Sequence, residues 1–390
     1  MKINAIILLL IFLNSSCSPS KKFFNSGEVI INNDIEVVDL KIVKELPLCQ
    51  VIINGRNYWF LVDTGAAMVI SKEIFKELNL KTLHSANVGD SQKKKQTQDF
   101  CLLPEIKIGN MTFKNIAAVA MNIDNQELKC FGFDGIVGAN LLANLHWQFD
   151  YQNKKIMASK NAALFNIDSF DFSLDFTYKS QKTPYVQGKV NDKVQEFTFD
   201  TGYAGNIKIS NDLSYHQNLT AEDKFYKKSG VNSIGVYGNS ASDTTFAMKN
   251  TVTLNSTIFE DQIIDSGAST LIGNEFLKNY VFVIDWTTNK IHFKKNSKME
   301  TPKVDGFGFT YLFVDGKATV MSKVVDKNIP IELGDQILAI NDTDFTKIQS
   351  SEFCKYFLNK IEQNDTEVAV TVKRADEILQ FNLTKQQFLK

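Results

Sequence analysis

The stretch Trp59–Ser71, WFLVDTGAAMVIS, places Asp-Thr-Gly at the end of a hydrophobic strand. Aspartate and glycine are ordinary turn formers, so a single triplet of this kind is weak evidence for a catalytic site. A second copy in a matching place would make Asp63 one member of a pair. The rest of the chain must therefore be searched for that copy.

The second half of the chain contains it. Residues 51–71 read VIINGRNYWFLVDTGAAMVIS, and residues 188–210 read GKVNDKVQEFTFDTGYAGNIKIS. Asp63 falls on Asp200, and each segment ends in isoleucine and serine, with two extra residues in the second copy. The pairing predicts that both aspartates end equivalent strands.

A second pair of matching blocks follows the motifs. Residues 135–156 read GIVGANLLANLHWQFDYQNKKI, and residues 270–291 read TLIGNEFLKNYVFVIDWTTNKI, which sets Gly138 on Gly273. Such a long period indicates a duplicated lobe rather than a solenoid of short repeats.

The hydrophobic runs suit buried strands more than helices, so the fold class is expected to be mostly β. The predicted lobes are residues 35–160 and 161–297.

Two related lobes packed about a pseudo-two-fold axis would bring Asp63 beside Asp200. Two carboxylates a few ångströms apart cannot both ionise cheaply, so the pair would share one proton. The ionised member can then take a proton from water, while the protonated member hydrogen-bonds to the carbonyl under attack. This chemistry hydrolyses amides with no cofactor and no metal.

The neighbouring motif residues have physical roles as well. Gly65 and Gly202 are expected to let the chain turn tightly, so that backbone N–H groups reach the carboxylates. Thr64 and Thr201 supply hydroxyls that can link the two loops.

The double Asp-Thr-Gly, each followed by an aliphatic-aliphatic-Gly block, resembles the retropepsin-like aspartic proteases over residues 35–297. The resemblance implies two homologous lobes fused in one chain, which should suffice as a monomer acting on a peptide or protein substrate. The implied catalytic residues are Asp63 and Asp200, and the implied supporting residues are Thr64, Gly65, Thr201 and Gly202. Ala66 matches the usual small residue after the motif, whereas Tyr203 departs from it.

The family also carries a flap hairpin over its cleft. The matching region of the first lobe is residues 88–100, with Lys93, Lys94 and Lys95 at its tip. In the second lobe it is residues 235–246, where Tyr237 is placed to reach over substrate. The alternative for both segments is a solvated surface hairpin.

A third triplet, Asp265-Ser266-Gly267, mimics the motif. Asp265 lies only six residues before the block Leu271-Ile272-Gly273, whereas the two motif aspartates precede the glycines of their blocks by more than 70 residues. Asp265 is therefore expected to be a loop residue and not the partner of Asp63.

The N-terminus reads as a targeting segment. A lysine precedes an aliphatic run from Ala5 to Leu13, which has the length of a signal-peptide core. The run ends before Cys17 in a sequence that resembles a bacterial lipobox. Residues 1–17 are thus expected to be a signal peptide with Cys17 lipidated, and residues 18–34 a tether. Plain secretion or a retained anchor are the alternatives.

The expected location is the periplasmic side of a bacterial membrane, with a lipid anchor. Ser18 after the cysteine is compatible with outer-membrane sorting.

The net charge and the histidines argue against several other classes of function, and the cysteines raise the question of disulfides. The net charge of −1 argues against a nucleic-acid binder, and four scattered histidines give little support to a zinc site or a His-based triad. Exported chains permit disulfides. Cys101 with Cys130 is the pair to test, and isolated buried thiols are the alternative.

Residues 301–390 resemble a PDZ domain. The sequence GFGF at 306–309 corresponds to the carboxylate-binding loop of that family, and residues 334–341 match its Gly-Asp block. The resemblance implies that the amides of Phe307, Gly308 and Phe309 bind the C-terminal carboxylate of a peptide added as a strand. The alternative is a structural cap on the protease.

The sequence thus predicts an aspartic endopeptidase with a PDZ module for substrate or partner binding. A non-catalytic peptide-binding lipoprotein is the alternative from another class. A peptidase confined to one partner protein is a third reading that the sequence does not separate from a broad one.

Overall fold

The structure is a computed structural model that describes residues 11–12, 21–191, 193–211, 225–300, 304–325 and 327–389. Cys17 and Ser18, together with nearly all of the expected signal peptide, lie outside these residues. The described chain is mostly β, as the sequence predicts.

The first part of the chain runs to residue 160. Its strands are β1 (Ile11–Phe12), β2 (Glu28–Ile30), β3 (Glu36–Asp39), β4 (Lys41–Val43), β5 (Leu46–Ile53), β6 (Arg56–Asp63), β7 (Val69–Ser71), β8 (His84–Asp90), β9 (Lys95–Ile108), β10 (Met111–Met121), β11 (Gly135–Gly138), β12 (His146–Asp150) and β13 (Lys155–Ser159). Its helices are α1 (Lys21–Phe24), α2 (Lys72–Glu77), α3 (Gln126–Lys129) and α4 (Ala139–Leu142).

The second part runs to residue 297. Short 3-10 turns at Ala162–Phe165 and Ile167–Ser169 lead into it. Its strands are β14 (Phe172–Asp175), β15 (Thr177–Tyr178), β16 (Pro184–Val190), β17 (Lys193–Phe199), β18 (Ile207–Ser210), β19 (Phe225–Gly230), β20 (Ile234–Gly235), β21 (Gly238–Asn239), β22 (Asp243–Leu254), β23 (Thr257–Gly267), β24 (Leu271–Ile272), β25 (Tyr280–Asp285) and β26 (Lys290–Lys295), with helix α5 (Asn274–Leu277).

The third part contains β27 (Val304–Gly306), β28 (Phe309–Val314), β29 (Lys317–Val324), β30 (Gln336–Ile340), β31 (Thr343–Asp344), helix α6 (Phe353–Leu358), β32 (Glu367–Arg374), β33 (Glu377–Thr384) and β34 (Gln386–Leu389). Short 3-10 turns lie at Phe345–Lys347, Ser350–Glu352 and Ile361–Asn364.

The first two parts repeat one pattern of strand pairing around the motifs. In the first, β6 runs parallel to β11, β11 runs antiparallel to β7, and β7 runs parallel to β10. In the second, β17, β24, β18 and β23 pair in the same order and directions. The hairpins β5–β6 and β16–β17 precede each motif. Equivalent residues therefore occupy equivalent strand ends.

A six-stranded sheet joins the first two parts. Its order is β14-β26-β25-β12-β13-β3, and its central pairing sets β12 antiparallel to β25. Phe149 from the first part stacks on Phe282 from the second, with ring centroids 4.7 Å apart. One apolar core continues through both parts.

Residues 21–30 correct the expected tether. Phe24 is buried against the first part, and β2 pairs antiparallel with β10. The apolar side chains of this segment find a surface to cover, so the polar tether predicted over residues 18–34 does not hold for residues 21–30.

The third part is attached to both others. β29 pairs antiparallel with β19, which extends the sheet of the second part into the third. A disulfide joins Cys130, which follows α3, to Cys354 in α6. The predicted Cys101–Cys130 pair is therefore wrong. Cys101 is instead a free buried thiol, and so is Cys49.

Candidate active site

Asp63 and Asp200 occupy matching positions at two strand ends. Asp63 closes β6 and lies opposite Gly138 in the parallel pairing with β11. Asp200 follows β17 directly, and the pairing of Phe199 with Ile272 brings the next residues, Asp200 and Gly273, to the same relation. The repeat thus delivers both carboxyl groups to one place.

Two threonines lock the loops together with crossed hydrogen bonds. The amide of Thr64 donates to Thr201 Oγ1 at 3.0 Å, and the amide of Thr201 donates to Thr64 Oγ1 at 3.1 Å. The Thr64 hydroxyl donates to Phe199 O at 2.6 Å, and the Thr201 hydroxyl to Val62 O at 2.8 Å. Each hydroxyl thereby uses its donor and one acceptor, which fixes the relative position of the loops.

The motif glycines are required for a second reason besides the predicted approach of backbone amides to the carboxyl groups. Neither Gly65 nor Gly202 has a positive φ. A Cβ on Gly65 would lie 2.7 Å from Asp200 Oδ1, and one on Gly202 would collide with the carboxyl group of Asp63. Each glycine therefore makes room for the aspartate of the opposite loop.

The same glycines donate to their own aspartates. Gly65 N lies 2.7 Å from Asp63 Oδ1, and Gly202 N lies 2.9 Å from Asp200 Oδ1. Among the described residues, no donor reaches Asp63 Oδ2 or Asp200 Oδ2. Each carboxyl group thus has one oxygen held by the backbone and one left for chemistry.

Burial controls the ionisation of the pair. Asp63 and Asp200 are both fully buried. Desolvation raises the pKa of Asp63 to about 7, against the opposing effects of the Asp200 carboxyl and two amides. Desolvation, and then the charge of Asp63, raise the pKa of Asp200 well above its ordinary value. The pair therefore retains a proton at a pH where ordinary carboxyls have lost theirs.

Comparison with known proteins bears on this geometry. Residues 49–141 match the family model of the aspartyl proteases. The match supports a retropepsin-like aspartyl protease domain here and spans Asp63 and Gly138, but ends before Asp200. No curated protein matches the chain.

The first part of the chain carries the hairpin predicted as a flap. Strands β8 and β9 form it, and the start of its turn is buried, since Asp90 and Ser91 are 1% and 0% exposed, whereas the tip from Lys93 to Lys95 is exposed. Asp90 Oδ2 accepts from the amide of Tyr237 at 3.1 Å, and Lys94 Nζ donates to Asn239 O at 2.6 Å. The two candidate flaps thus contact each other.

Two further contacts hold this hairpin. Ser269 Oγ donates to Ser91 O at 3.1 Å, and Gln98 Nε2 donates to the Tyr237 hydroxyl at 3.2 Å. Burial raises the pKa of Asp90, with backbone amides opposing the rise. The hairpin is therefore held in a closed position across the two parts.

Tyr203, which departs from the family pattern, folds away from the pair. Its ring is fully buried, and a Cβ on either Gly205 or Gly273 would collide with it. The backbone amide of Asn274 donates to Tyr203 O at 2.8 Å, and Asn274 Nδ2 donates to Thr201 O at 2.7 Å. The bulky phenol thus fills space behind the second loop.

Asp265 corrects the sequence prediction in part. It lies in strand β23 and not in a loop. Its Oδ1 lies 3.1 Å from Lys228 Nζ, and it faces Lys208 across the β18–β23 pairing. It is thus not the partner of Asp63, as predicted, but it belongs to a buried charged cluster that the sequence reasoning missed.

The GFGF loop of the third part has its own geometry. Gly308 has φ +81°, and a Cβ there would press against Ile329. Phe307 and Phe309 are buried, each 5% exposed. Lys360 Nζ donates to Tyr311 O at 2.7 Å on strand β28. One main-chain acceptor of the strand predicted to receive a peptide is thus in use.

The described residues contain neither a candidate metal cluster nor a candidate membrane-spanning helix. There, no three histidine, cysteine, aspartate or glutamate side chains cluster closely enough to hold a metal ion. No helix in the same residues has the length and apolar character needed to cross a bilayer.

Proposed function

We propose that this chain is an aspartic endopeptidase whose catalytic pair is Asp63 and Asp200. The observation that carries the proposal is the meeting of the two motif aspartates in one buried site, whose loops are joined by the crossed hydrogen bonds of Thr64 and Thr201. The aspartyl protease match over residues 49–141 supports the same reaction class.

In the working state the pair carries one proton and one negative charge. The ionised carboxylate takes a proton from a water molecule, which attacks the peptide carbonyl carbon. The protonated carboxyl donates a hydrogen bond to the carbonyl oxygen, so charge that develops there is stabilised. Collapse of the tetrahedral intermediate releases the amine, which takes a proton from the pair.

The supporting residues act by holding this geometry. Thr64 and Thr201 fix the relative position of the two loops. The amides of Gly65 and Gly202 hold the Oδ1 atom of the aspartate in the same loop. Peptide access requires the β8–β9 hairpin to leave its contacts with residues 234–239, so we propose that this hairpin is the flap.

The test uses the chain from Ser18 and its Asp63→Asn and Asp200→Asn variants. Each is incubated with a diverse peptide library from pH 4 to pH 8, and new termini are read by mass spectrometry. Cleavage by the unmodified chain and by neither variant is the expected result. Full activity in both variants would remove the pair from the mechanism.

The same assay weighs the alternative. If no peptide is cut at any pH, binding of library peptides would favour the non-catalytic peptide-binding lipoprotein. Cleavage restricted to one protein from an extract would indicate the narrow peptidase instead.

For the third part we propose a PDZ-like module. A peptide on β28 would have to compete with the bond from Lys360 to Tyr311 O. C-terminal peptides labelled with a fluorophore are therefore expected to bind Lys360→Met more tightly than the unmodified chain. Equal absence of binding in both would favour a structural cap.

We further propose export and lipidation at Cys17. Expression of the full chain in a bacterium with labelled palmitate is expected to label the protein, and Cys17→Ala is expected to abolish the label. Unlabelled protein released into the medium would instead indicate plain secretion.

A further inference from the structure

A buried cluster of charges lies on strands β18, β19 and β23, in the part of the chain that carries Asp200. Lys208 on β18 is 3% exposed, and Asp265 on β23 is 4% exposed. Lys228 on β19 pairs with Asp265, Nζ to Oδ1 at 3.1 Å. Burying an ammonium group is costly unless another charge or dipole compensates it. We therefore expect nearby negative charge to compensate the buried ammonium of Lys208.

The position of Lys208 is set by its strand and by the neighbouring residues. In the strand pairing it faces Asp265 on one side and Leu271 on the other. Its Nζ lies 4.9 Å from the centre of the Tyr203 ring. Its stem passes over Gly267, where a Cβ would lie 3.2 Å from Lys208 Cδ. The ammonium therefore lies beside the residue that follows the second motif.

The first part of the chain shows that packing does not require a lysine here. In its matching pairing, Val69 faces Ile136 just as Lys208 faces Leu271. Val69 is buried and apolar. An apolar side chain thus packs at this strand position in the first part. We therefore look for an electrostatic role of the lysine in the second part.

Charge balance indicates that role. Lys208, Lys228 and Asp265 together carry one excess positive charge. The pair of Asp63 and Asp200 carries one negative charge when it holds a single proton. The excess charge of the cluster thus matches the charge of the pair in its working state.

We propose that Lys208 is a positioning residue for the reaction proposed above, since its buried ammonium stabilises the single negative charge of the Asp63–Asp200 pair. This inference rests on the proposed function for its meaning in catalysis. The electrostatic contact itself is a property of the folded chain and can be measured without turnover.

The ionisation of these groups supports the proposal. The positive charge of Lys208 lowers the pKa of Asp200, opposing desolvation and the charge of Asp63. The pKa of Lys208 is lowered to about 8, chiefly by burial and then by the charge of Lys228, against the opposing charges of Asp265 and Asp200. The contribution of Lys208 should therefore fade as the pH rises above about 8.

Two other titratable side chains near this cluster are Tyr203 and Glu275. Tyr203 carries the ring under Lys208, and the charges of Asp265, Asp200 and Glu275 raise its pKa after burial does. Glu275 itself lies 3.0 Å from Lys278. Lys208 is the cation of this cluster whose charge lowers the pKa of Asp200.

The first experiment compares Lys208→Met with Lys208→Arg. Lys208→Met removes the charge and keeps a long side chain, whereas Lys208→Arg keeps the charge. Carboxyl ¹³C signals of Asp63 and Asp200 are followed from pH 3 to pH 10. In Lys208→Met the first ionisation of the pair should move upward by about one pH unit, which is a tenfold change in proton affinity. In Lys208→Arg it should stay near that of the unmodified chain.

A second measurement covers the case in which Lys208→Met does not fold. Coupling between two sites is reciprocal, so removing the negative charge of the Asp63–Asp200 pair must lower the pKa of Lys208. The double variant Asp63→Asn/Asp200→Asn removes that charge with nearly isosteric side chains, and the ¹⁵N signal of Lys208 Nζ reports the change directly. An unchanged Lys208 titration in the double variant would overturn the proposal, as would an unchanged carboxyl titration in a folded Lys208→Met.

Turnover separates this inference from the proposed function. If the chain cleaves peptides, the pH profile of kcat/KM in Lys208→Met should move to higher pH, and that of Lys208→Arg should not. A uniform loss of rate with an unmoved profile would show a structural role only. If nothing is cleaved but the titrations shift, the electrostatic contact stands and the proposed reaction fails.

Discussion

Replacing Asp63 by asparagine should make the folded chain more stable, and more so at high pH. The carboxyl group is fully buried, and its pKa is raised from 3.8 to about 7. Between these two values the folded state binds a proton that the unfolded state has released. The free energy of unfolding therefore falls as the pH rises through this window, and the loss is complete above about pH 7.

The magnitude follows from the width of the window. About three pH units at about 1.36 kcal/mol each correspond to about 4 kcal/mol. Asparagine does not ionise, so Asp63→Asn avoids this cost. Its Oδ1 can still accept from Gly65 N, and its Nδ2 can donate toward Asp200, which replaces the shared proton.

Urea unfolding of both proteins at pH 4, 6 and 8 tests this reasoning. The difference in unfolding free energy should be small at pH 4 and grow to about 4 kcal/mol in favour of the variant at pH 8. Asp261→Asn is the control, because its side chain is 77% exposed and should shift stability by less than about 0.5 kcal/mol. A variant that is no more stable at pH 8 than at pH 4, relative to the unmodified chain, would refute the burial argument.

Three further changes test other contacts. Cys354→Ser removes the link to Cys130 across 224 residues, so the unfolded chain gains conformational entropy and the unfolding free energy should fall by up to about 5 kcal/mol; reduction of the unmodified chain should give the same loss in calorimetry. Thr201→Val loses one acceptor and one donor of the crossed bonds and should cost about 3 kcal/mol in urea unfolding, whereas Thr201→Ser should cost less than about 1. Lys94→Met breaks the bond to the opposite part, so amide exchange at the β8–β9 turn should rise about tenfold, while Lys95→Met should leave it unchanged.

The repeat was sufficient to predict the meeting of Asp63 and Asp200. Equivalent blocks fold alike, and equivalent strand ends meet where two such units pack together. The crossed bonds of Thr64 and Thr201 were predictable in kind, since short hydroxyl side chains beside such a pair have few other partners. The approach of the Gly65 amide to a carboxyl group was predictable, but the close contact of Gly65 with Asp200 was not, because contact with the opposite loop depends on packing.

The disulfide was outside the reach of sequence reasoning. Cys130 and Cys354 lie 224 residues apart, and nothing in their surroundings marks them as neighbours. Their meeting follows from the docking of the third part, which depends on the pairing of β19 with β29. Long-range docking of this kind leaves no local pattern in a sequence.

Lys208 was missed for a different reason. The stretch around it alternates between apolar and polar residues, which is typical of a strand with one solvated face. Strand β18 instead lies between β23 and β24 inside its sheet, and Ile207, Lys208 and Ile209 are all buried, so both of its faces are covered. A lysine at such a position becomes a buried charge, and only the three-dimensional arrangement distinguishes it from a surface one.

The placement of Lys208 also explains what a single chain with two motifs can do that a symmetric dimer cannot. In a two-fold dimer each residue occurs twice, so a buried lysine behind one motif would be matched by another behind the second. Two such cations would face a pair that carries one negative charge. With both motifs in one chain, Val69 can stay apolar while Lys208 supplies a single cation, and the balance of one charge against one becomes possible. On this argument, Val69→Lys should lower the proton affinity of the Asp63–Asp200 pair further, and the pH profile of any cleavage should move to lower pH.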